Sequence, residues 1–199
     1  MAQKAKYENP NPIHQFVLGR FLSRVAQAVN DTGASSILDV ACAEGYVIRF
    51  LRERIHGLKF TGVDIDTQAL SEARRNLPGV PFFRGDIYSY AHSGPVDLVM
   101  ALEVLEHLND VPRALQNMSR VQAKHFLFSV PHEPYFRLMN LLRGRHIKRL
   151  GNDPEHINLW SRRTFVRQVE PCFEPLRDYS SFPWTIILSR KRYGESQSS

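Results

Sequence analysis

An α/β fold, with a mostly parallel sheet and helices on both faces, is what this sequence predicts. Three observations predict it. From residue 36 onward, apolar runs of strand length alternate with stretches of helical periodicity. Strand–helix alternation of this kind feeds parallel crossovers, so successive strands point the same way. Four of the runs end on or near an acid, Asp39, Asp64, Asp86 and Glu103. Ligands of such sheets bind at the carboxyl ends of the strands, so all four acids are expected on one rim.

The elements follow in order. Residues 1–12 are polar and rich in Pro and Asn. Phe16, Val17, Phe21, Leu22, Val25 and Val29 recur at helical spacing, and Asp31-Thr-Gly33 stops that helix. Strands are expected at 36–41, 59–64, 80–84, 96–101 and 124–130, and helices at 45–56, 67–76, 110–121 and 161–170. Two closing strands fit 176–182 and 185–190, which brings the sheet to seven. Residues 193–199 read as a frayed tail. The sequence shows no repeat and no interdomain linker. One domain over 1–199 is expected, with a helical cap at 1–35 and an insertion at 132–160 forming a lid or acceptor wall.

Composition narrows the class. The chain is 43% hydrophobic and 23% charged, which is the make-up of a soluble globular protein. No apolar run reaches the roughly 18–20 residues of a membrane span, and the first ten residues lack the apolar core of a signal peptide. Cys42 and Cys172 form no spacing motif, so a reducing cytoplasm is the expected compartment. The net charge of +6 is uneven. Residues 137–192 carry 12 Lys/Arg against 5 Asp/Glu. Such a surplus fits either a solvated surface or an anionic substrate, membrane surface or nucleic acid.

The motif richest in chemistry is Ile37-Leu-Asp-Val-Ala-Cys-Ala-Glu-Gly45. An apolar strand ends in an acid, a turn of small residues follows, and a helix begins. Small residues let the backbone approach a ligand, and the helix start offers free N–H groups. Asp39 and Glu44 would repel a pyrophosphate, so the turn suits a cationic ligand. Phe60-Thr-Gly-Val-Asp-Ile-Asp66 places Asp64 to hold ribose hydroxyls. Phe83-Arg-Gly-Asp-Ile87 and Val96-Asp-Leu-Val-Met-Ala-Leu-Glu-Val-Leu-Glu-His107 follow at consistent spacing. Each acid alone would serve equally well as a helix cap.

Taken together, these four motifs resemble those of class I S-adenosylmethionine (SAM) methyltransferases, from about Ile37 to the C-terminus. The resemblance implies a Rossmann-like seven-stranded sheet whose last two strands form an antiparallel hairpin. It implies that Asp39 and the turn with Ala41, Ala43 and Gly45 face the methionine part of SAM. Asp64 would take the ribose hydroxyls, with Ile65 on the adenine face. Asp86 would accept from the adenine amino group, Ile87 would offer its N–H, and Leu102 and Glu103 would close the other side. The family pattern has glycine where Ala41 and Ala43 stand. Alanine demands a negative φ and adds a methyl beside the ligand.

Glu103, Glu106 and His107 stand at i, i+3 and i+4, and would share one face if the strand turns into a helix at Glu103. With His156, which precedes Trp160 and the helix at 161, this layout resembles metal-dependent members of the family: ubiquinone-biosynthesis O-methyltransferases and small-RNA 2′-O-methyltransferases. The resemblance implies a Mg or Mn site made of Glu103, Glu106, His107 and His156. Against it, Leu-Glu-His is widespread in members that use no metal. His107 could then act as the general base, and His132 is a second candidate. The insertion Pro134–Gly151 starts apolar and turns basic, which fits a packed lid, an anionic-substrate clamp or a peripheral membrane segment for a lipid-like acceptor. The expected activity is methyl transfer from SAM to a small-molecule acceptor, at oxygen. An RNA 2′-O-methyltransferase and a non-catalytic binding module are the alternatives. Nucleic acid is the weaker, because few aromatics are available for stacking and no RNA-binding module accompanies the domain.

Overall fold

The structure, a computed structural model, describes residues 7–132 and 157–192. The insertion at 134–151, His156 and the tail at 193–199 lie outside the described residues. Seven strands form one sheet in the order β3-β2-β1-β4-β5-β7-β6. They are β1 (Ser36–Val40), β2 (Lys59–Asp64), β3 (Phe82–Arg84), β4 (Val96–Leu102), β5 (Ala123–Pro131), β6 (Phe173–Asp178) and β7 (Trp184–Lys191). The first five pair in parallel, and β7 runs antiparallel to both β5 and β6. The predicted mixed sheet with its closing hairpin is therefore what forms. Strand order reverses between β1 and β4, which opens a crevice at their carboxyl ends.

Among the described residues five helices flank the sheet: α1 (Pro12–Thr32), α2 (Tyr46–Arg52), α3 (Thr67–Asn76), α4 (Val111–Met118) and α5 (Arg162–Val169). Their starts are written locally. The Asn11 side chain accepts from the Ile13 and His14 amides, Asp66 from Gln68 and Ala69, Asp110 from Arg113, and Ser161 from Thr164. Each such cap is worth about 1 kcal/mol. Gly33 ends α1 at φ 63°, a left-handed position open to glycine without strain.

Strand alternation splits the interior into two cores. Ile37, Leu98, Met100 and Leu127 face α1, α2 and α3, packing with Phe21, Ile48 and Leu70. Leu38, Val99, Ala101, Phe126 and Phe128 face α4 and α5, packing with Leu115, Phe165 and Phe173. Among the described residues no helix is long and apolar enough to cross a membrane.

The structure shifts one element appreciably. The first closing strand is expected at 176–182 but spans Phe173–Asp178. Phe173 is fully buried and pairs with Lys191, which anchors the strand earlier, and a register irregularity follows between Pro175 and Arg177. Residues Ser181 to Trp184 form the turn. The helix expected at 45–56 stops at Arg52, and β3 is limited to three residues.

Candidate functional site

The carboxyl ends of β2, β1 and β4 lie side by side, with Asp39 in register with Gly62 and with Met100. Between β1 and α2 the chain turns through Ala41, Ala43 and Gly45 at φ 61°, 46° and 78°. The alanines thus take the left-handed conformation of glycine, contrary to the negative φ expected of them. The geometry of the turn is imposed from outside. The Cys42 amide donates to the Val63 carbonyl at 3.0 Å, and the Ala43 amide donates to Asp64 Oδ2 at 2.8 Å. A left-handed alanine costs about 1–2 kcal/mol, so these bonds hold strain at the site. Gly45 has no room for a side chain, because a Cβ there would sit 2.7 Å from Leu77 Cδ1.

Acids dominate the electrostatics. Asp39, Glu44 and Asp64 are all buried. Asp64 Oδ1 also accepts from the Asp66 amide at 2.8 Å, so both its oxygens are oriented by backbone. Burial and the neighbouring Asp64 charge push Asp39 up to about 8. Among the described residues no lysine or arginine forms an ion pair with Asp39 or Asp64. Buried carboxylates in an amide-rich turn suit a ligand that brings positive charge and hydroxyls.

The other expected residues fall around this turn. Ile65 follows Asp64 and is 60% exposed, an apolar surface offered at the rim. Asp86 Oδ1 accepts from the Tyr88 amide at 2.9 Å, and Gly85 N–H donates to the Asp64 carbonyl. The Ile87 carbonyl accepts from Asn117 Nδ2 of α4 at 3.0 Å, which fixes that peptide against the domain. Leu102 is buried at the end of β4, and Glu103 follows at φ 55° with its amide bonded to the Ser129 carbonyl.

The α-helix that would put Glu103, Glu106 and His107 on one face does not form. The chain forms only a three-residue 3-10 turn, Leu105–His107, and Glu103 stands outside it. Glu106 is buried while His107 points to the surface, so the i, i+3, i+4 rule of an α-helix does not apply. Among the described residues no three His, Cys, Asp or Glu side chains make a metal-sized cluster. The turn is clamped from the far side. Ile157 and Asn158 amides donate to the Glu106 carbonyl at 2.9 and 3.0 Å, and Asn158 Nδ2 donates to the Leu108 carbonyl at 2.6 Å. His132 follows β5, with its amide on the Pro183 carbonyl at 2.7 Å and its Nδ1 3.2 Å from Thr185 Oγ1.

Two tyrosines join the site without a sequence signal. Tyr7 stacks on Tyr46 at 4.7 Å, and Tyr46 Oη donates to Glu8 Oε1 at 2.8 Å. Burial, then the charges of Asp39 and Glu44, push the Tyr7 hydroxyl well up. The arm before α1 therefore reaches the acidic turn. Tyr7 sits in a polar stretch with no periodicity, so nothing in the sequence flagged it.

Residues 37–125 match the family described as a methyltransferase domain. Trans-aconitate 2-methyltransferase from Azoarcus sp. (strain BH72) is 30% identical over 123 residues, 59% of this chain and 49% of that protein. The phthiotriol/phenolphthiotriol dimycocerosates methyltransferase of Mycobacterium leprae is 32% identical over 101 residues, 49% of this chain and 37% of that one. The chain thus spans about half or less of the curated relatives it matches. Among solved structures, magnesium protoporphyrin IX methyltransferase from Synechocystis PCC 6803, with bound S-adenosylhomocysteine, superposes with a TM-score of 0.70 at 15% identity. That superposition covers 92% of this chain and 88% of the other, a shared fold.

Proposed function

We propose that this chain, whose residues 37–125 match a methyltransferase domain and whose fold is shared with a magnesium protoporphyrin IX methyltransferase, transfers a methyl group from SAM to a small-molecule acceptor, at an oxygen. The observation that carries the reading is the acidic turn: Ala41 and Ala43 left-handed beside buried Asp39 and Asp64. Its carboxylates suit the ammonium and sulfonium of SAM, and its conformation is kept at the cost of strain. Asp39 and Ala41, Ala43 and Gly45 hold the methionine end in this proposal. Asp64 accepts from the ribose hydroxyls, Ile65 covers the adenine face, Asp86 and Ile87 read the adenine edge, and Leu102 and Glu103 close the far side.

A sulfonium methyl needs alignment and a deprotonated nucleophile rather than covalent help. The protein's part is then to orient the acceptor at the rim and remove its proton. His107 and His132 are the bases proposed, both carried on turns that follow β4 and β5. The relatives' names, trans-aconitate in one and phthiotriol dimycocerosates in another, support a small-molecule acceptor of anionic or lipid-like chemistry.

A divalent metal is a second reading, on one observation. Ile157 and Asn158, which directly follow His156 in the sequence, bond the carbonyl of Glu106. Glu103, Glu106, His107 and His156 would be its ligands.

The test is calorimetry of S-adenosylhomocysteine with wild type and Asp64→Ala, followed by labelled-methyl transfer from SAM to a panel of acceptors. Micromolar binding lost in Asp64→Ala supports an enzyme, and no binding supports the non-catalytic module. Transfer to RNA but to no small molecule would move the acceptor to the RNA alternative. A Mn²⁺ titration of the chelator-stripped, ligand-saturated protein beside Glu106→Gln decides the metal in the same preparation.

A further inference from the structure

Helix α1 has two unlike faces. Leu18, Phe21, Leu22, Val25, Ala28 and Val29 are buried in the core. The opposite stripe begins with Ile13 and Phe16, 66% and 65% exposed, and continues with exposed Arg20 and Arg24 at helical spacing. Phe50 and Arg54 from the neighbouring α2 region line the same open groove of about 480 Å³, Arg54 lying over the Phe50 ring at 3.7 Å. The flanking acids are already held. Glu53 is 3.4 Å from Arg54, and Asp31 accepts from Arg177 and from the Tyr179 hydroxyl. Arg24 bonds only to the neutral Gln27 among the described residues, and Arg20 forms no ion pair there. The stripe therefore offers uncompensated cations beside two projecting apolar side chains.

We propose that this face is a docking surface for an anionic lipid bilayer, with α1 lying flat on it. An interfacial helix needs apolar side chains that enter the acyl boundary and arginines that meet anionic headgroups, and both stand on one stripe here. The same face would meet an acidic protein with its charges alone, leaving Ile13 and Phe16 without a use. Placement gives the contact a purpose. Directly before α1, Tyr7 and Glu8 touch Tyr46 at the acidic turn. On the inner face Phe21 packs on Trp184 at 4.8 Å, next to Pro183, whose carbonyl accepts from the His132 amide. A helix on the bilayer is thus joined to both the cofactor side and the acceptor side of the rim. Delivery of a lipid-borne acceptor to that rim rests on the methyltransferase reading; the docking itself does not.

The experiment is flotation of the full chain with vesicles of phosphatidylcholine alone or with about a third phosphatidylglycerol. Binding to the anionic vesicles only is expected. It should weaken about thirtyfold in Arg20→Gln/Arg24→Gln, and similarly in Ile13→Ser/Phe16→Ser. Arg163→Gln/Arg167→Gln, on α5, should bind as wild type does. Phe16→Trp should blue-shift its emission on anionic vesicles. No flotation, equal flotation with neutral vesicles, or full binding in the α1 variants would overturn the proposal. Capture by polyglutamate in place of vesicles would also overturn it, assigning the face to an acidic protein. All six altered residues lie outside the site, so S-adenosylhomocysteine affinity reports folding and keeps a failed docking test separate from a failed methyltransferase reading.

Discussion

Asp39 and Ala41 each cost the fold stability at the place where a ligand would use them. Asp39 is buried beside Asp64 and holds its proton up to about pH 8. An acid whose folded pKa is raised above its unfolded value of about 3.9 keeps its full contribution below that value. From there to about pH 8 the native state binds a proton that the unfolded state does not, so stability falls as pH rises, then levels. Asp39→Asn removes this loss. Its thermal midpoint should match wild type near pH 4 and exceed it at pH 8, by about 1–3 kcal/mol of stability, while S-adenosylhomocysteine binding is lost. Equal midpoints at both pH values would show that Asp39 is ionised and compensated. Ala41 offers a cleaner contrast, since it is only partly buried and stands at φ 61°. Ala41→Gly should stabilise by about 0.5–1 kcal/mol, and Gly33→Ala, at φ 63° in open space, should cost a similar amount. If Ala41→Gly is neutral or harmful, the turn is not strained. The acids were legible because a strand followed by an acid is a local pattern. The φ of Ala41 was not, because the bonds from Val63 and Asp64 that set it come from another strand.

At the scale of elements, what could be read depended on how far away the deciding contact lies. The caps of α1, α3, α4 and α5 are side chains within three residues of the amides they satisfy, so helix starts fell close to expectation. The parallel strands carried their own apolar runs. The edge strand β6 did not: its inward residue, Phe173, is chosen by Phe126 and Phe128 of β5, at ring distances of 4.6 and 5.0 Å. A run of polar and proline residues gives no hint of that anchor. The local shape of the Glu-x-x-Glu-His stretch was hidden for the same reason. Its spacing is helical, yet Asn158 and Ile157, some fifty residues later, clamp it as a single 3-10 turn. A motif whose geometry is set by a distant segment cannot be converted into ligand directions from spacing alone.

Across the whole molecule, the candidate site joins elements that belong to both cores. Asp39 and Asp64 end strands whose side chains alternate between the two faces, and α2 and α3, which begin from their turns, bury Ile48 and Leu70 in one core. A ligand held by those turns should therefore stabilise global unfolding rather than one loop. For a single site, ligand at a hundred times its dissociation constant adds about 2.7 kcal/mol. In a chain of this length that raises the thermal midpoint by about 5–10 °C. S-adenosylhomocysteine should produce this shift in wild type, and Asp64→Ala should show none. Hydrogen exchange separates the two ways the prediction can fail. Protection gained around residues 39–45 and 64–66 with no change in midpoint would mean that the turns open independently of the core. Protection and midpoint both unchanged would mean that the acidic turn holds no such ligand, and the strain at Ala41 and Ala43 would then need another cause.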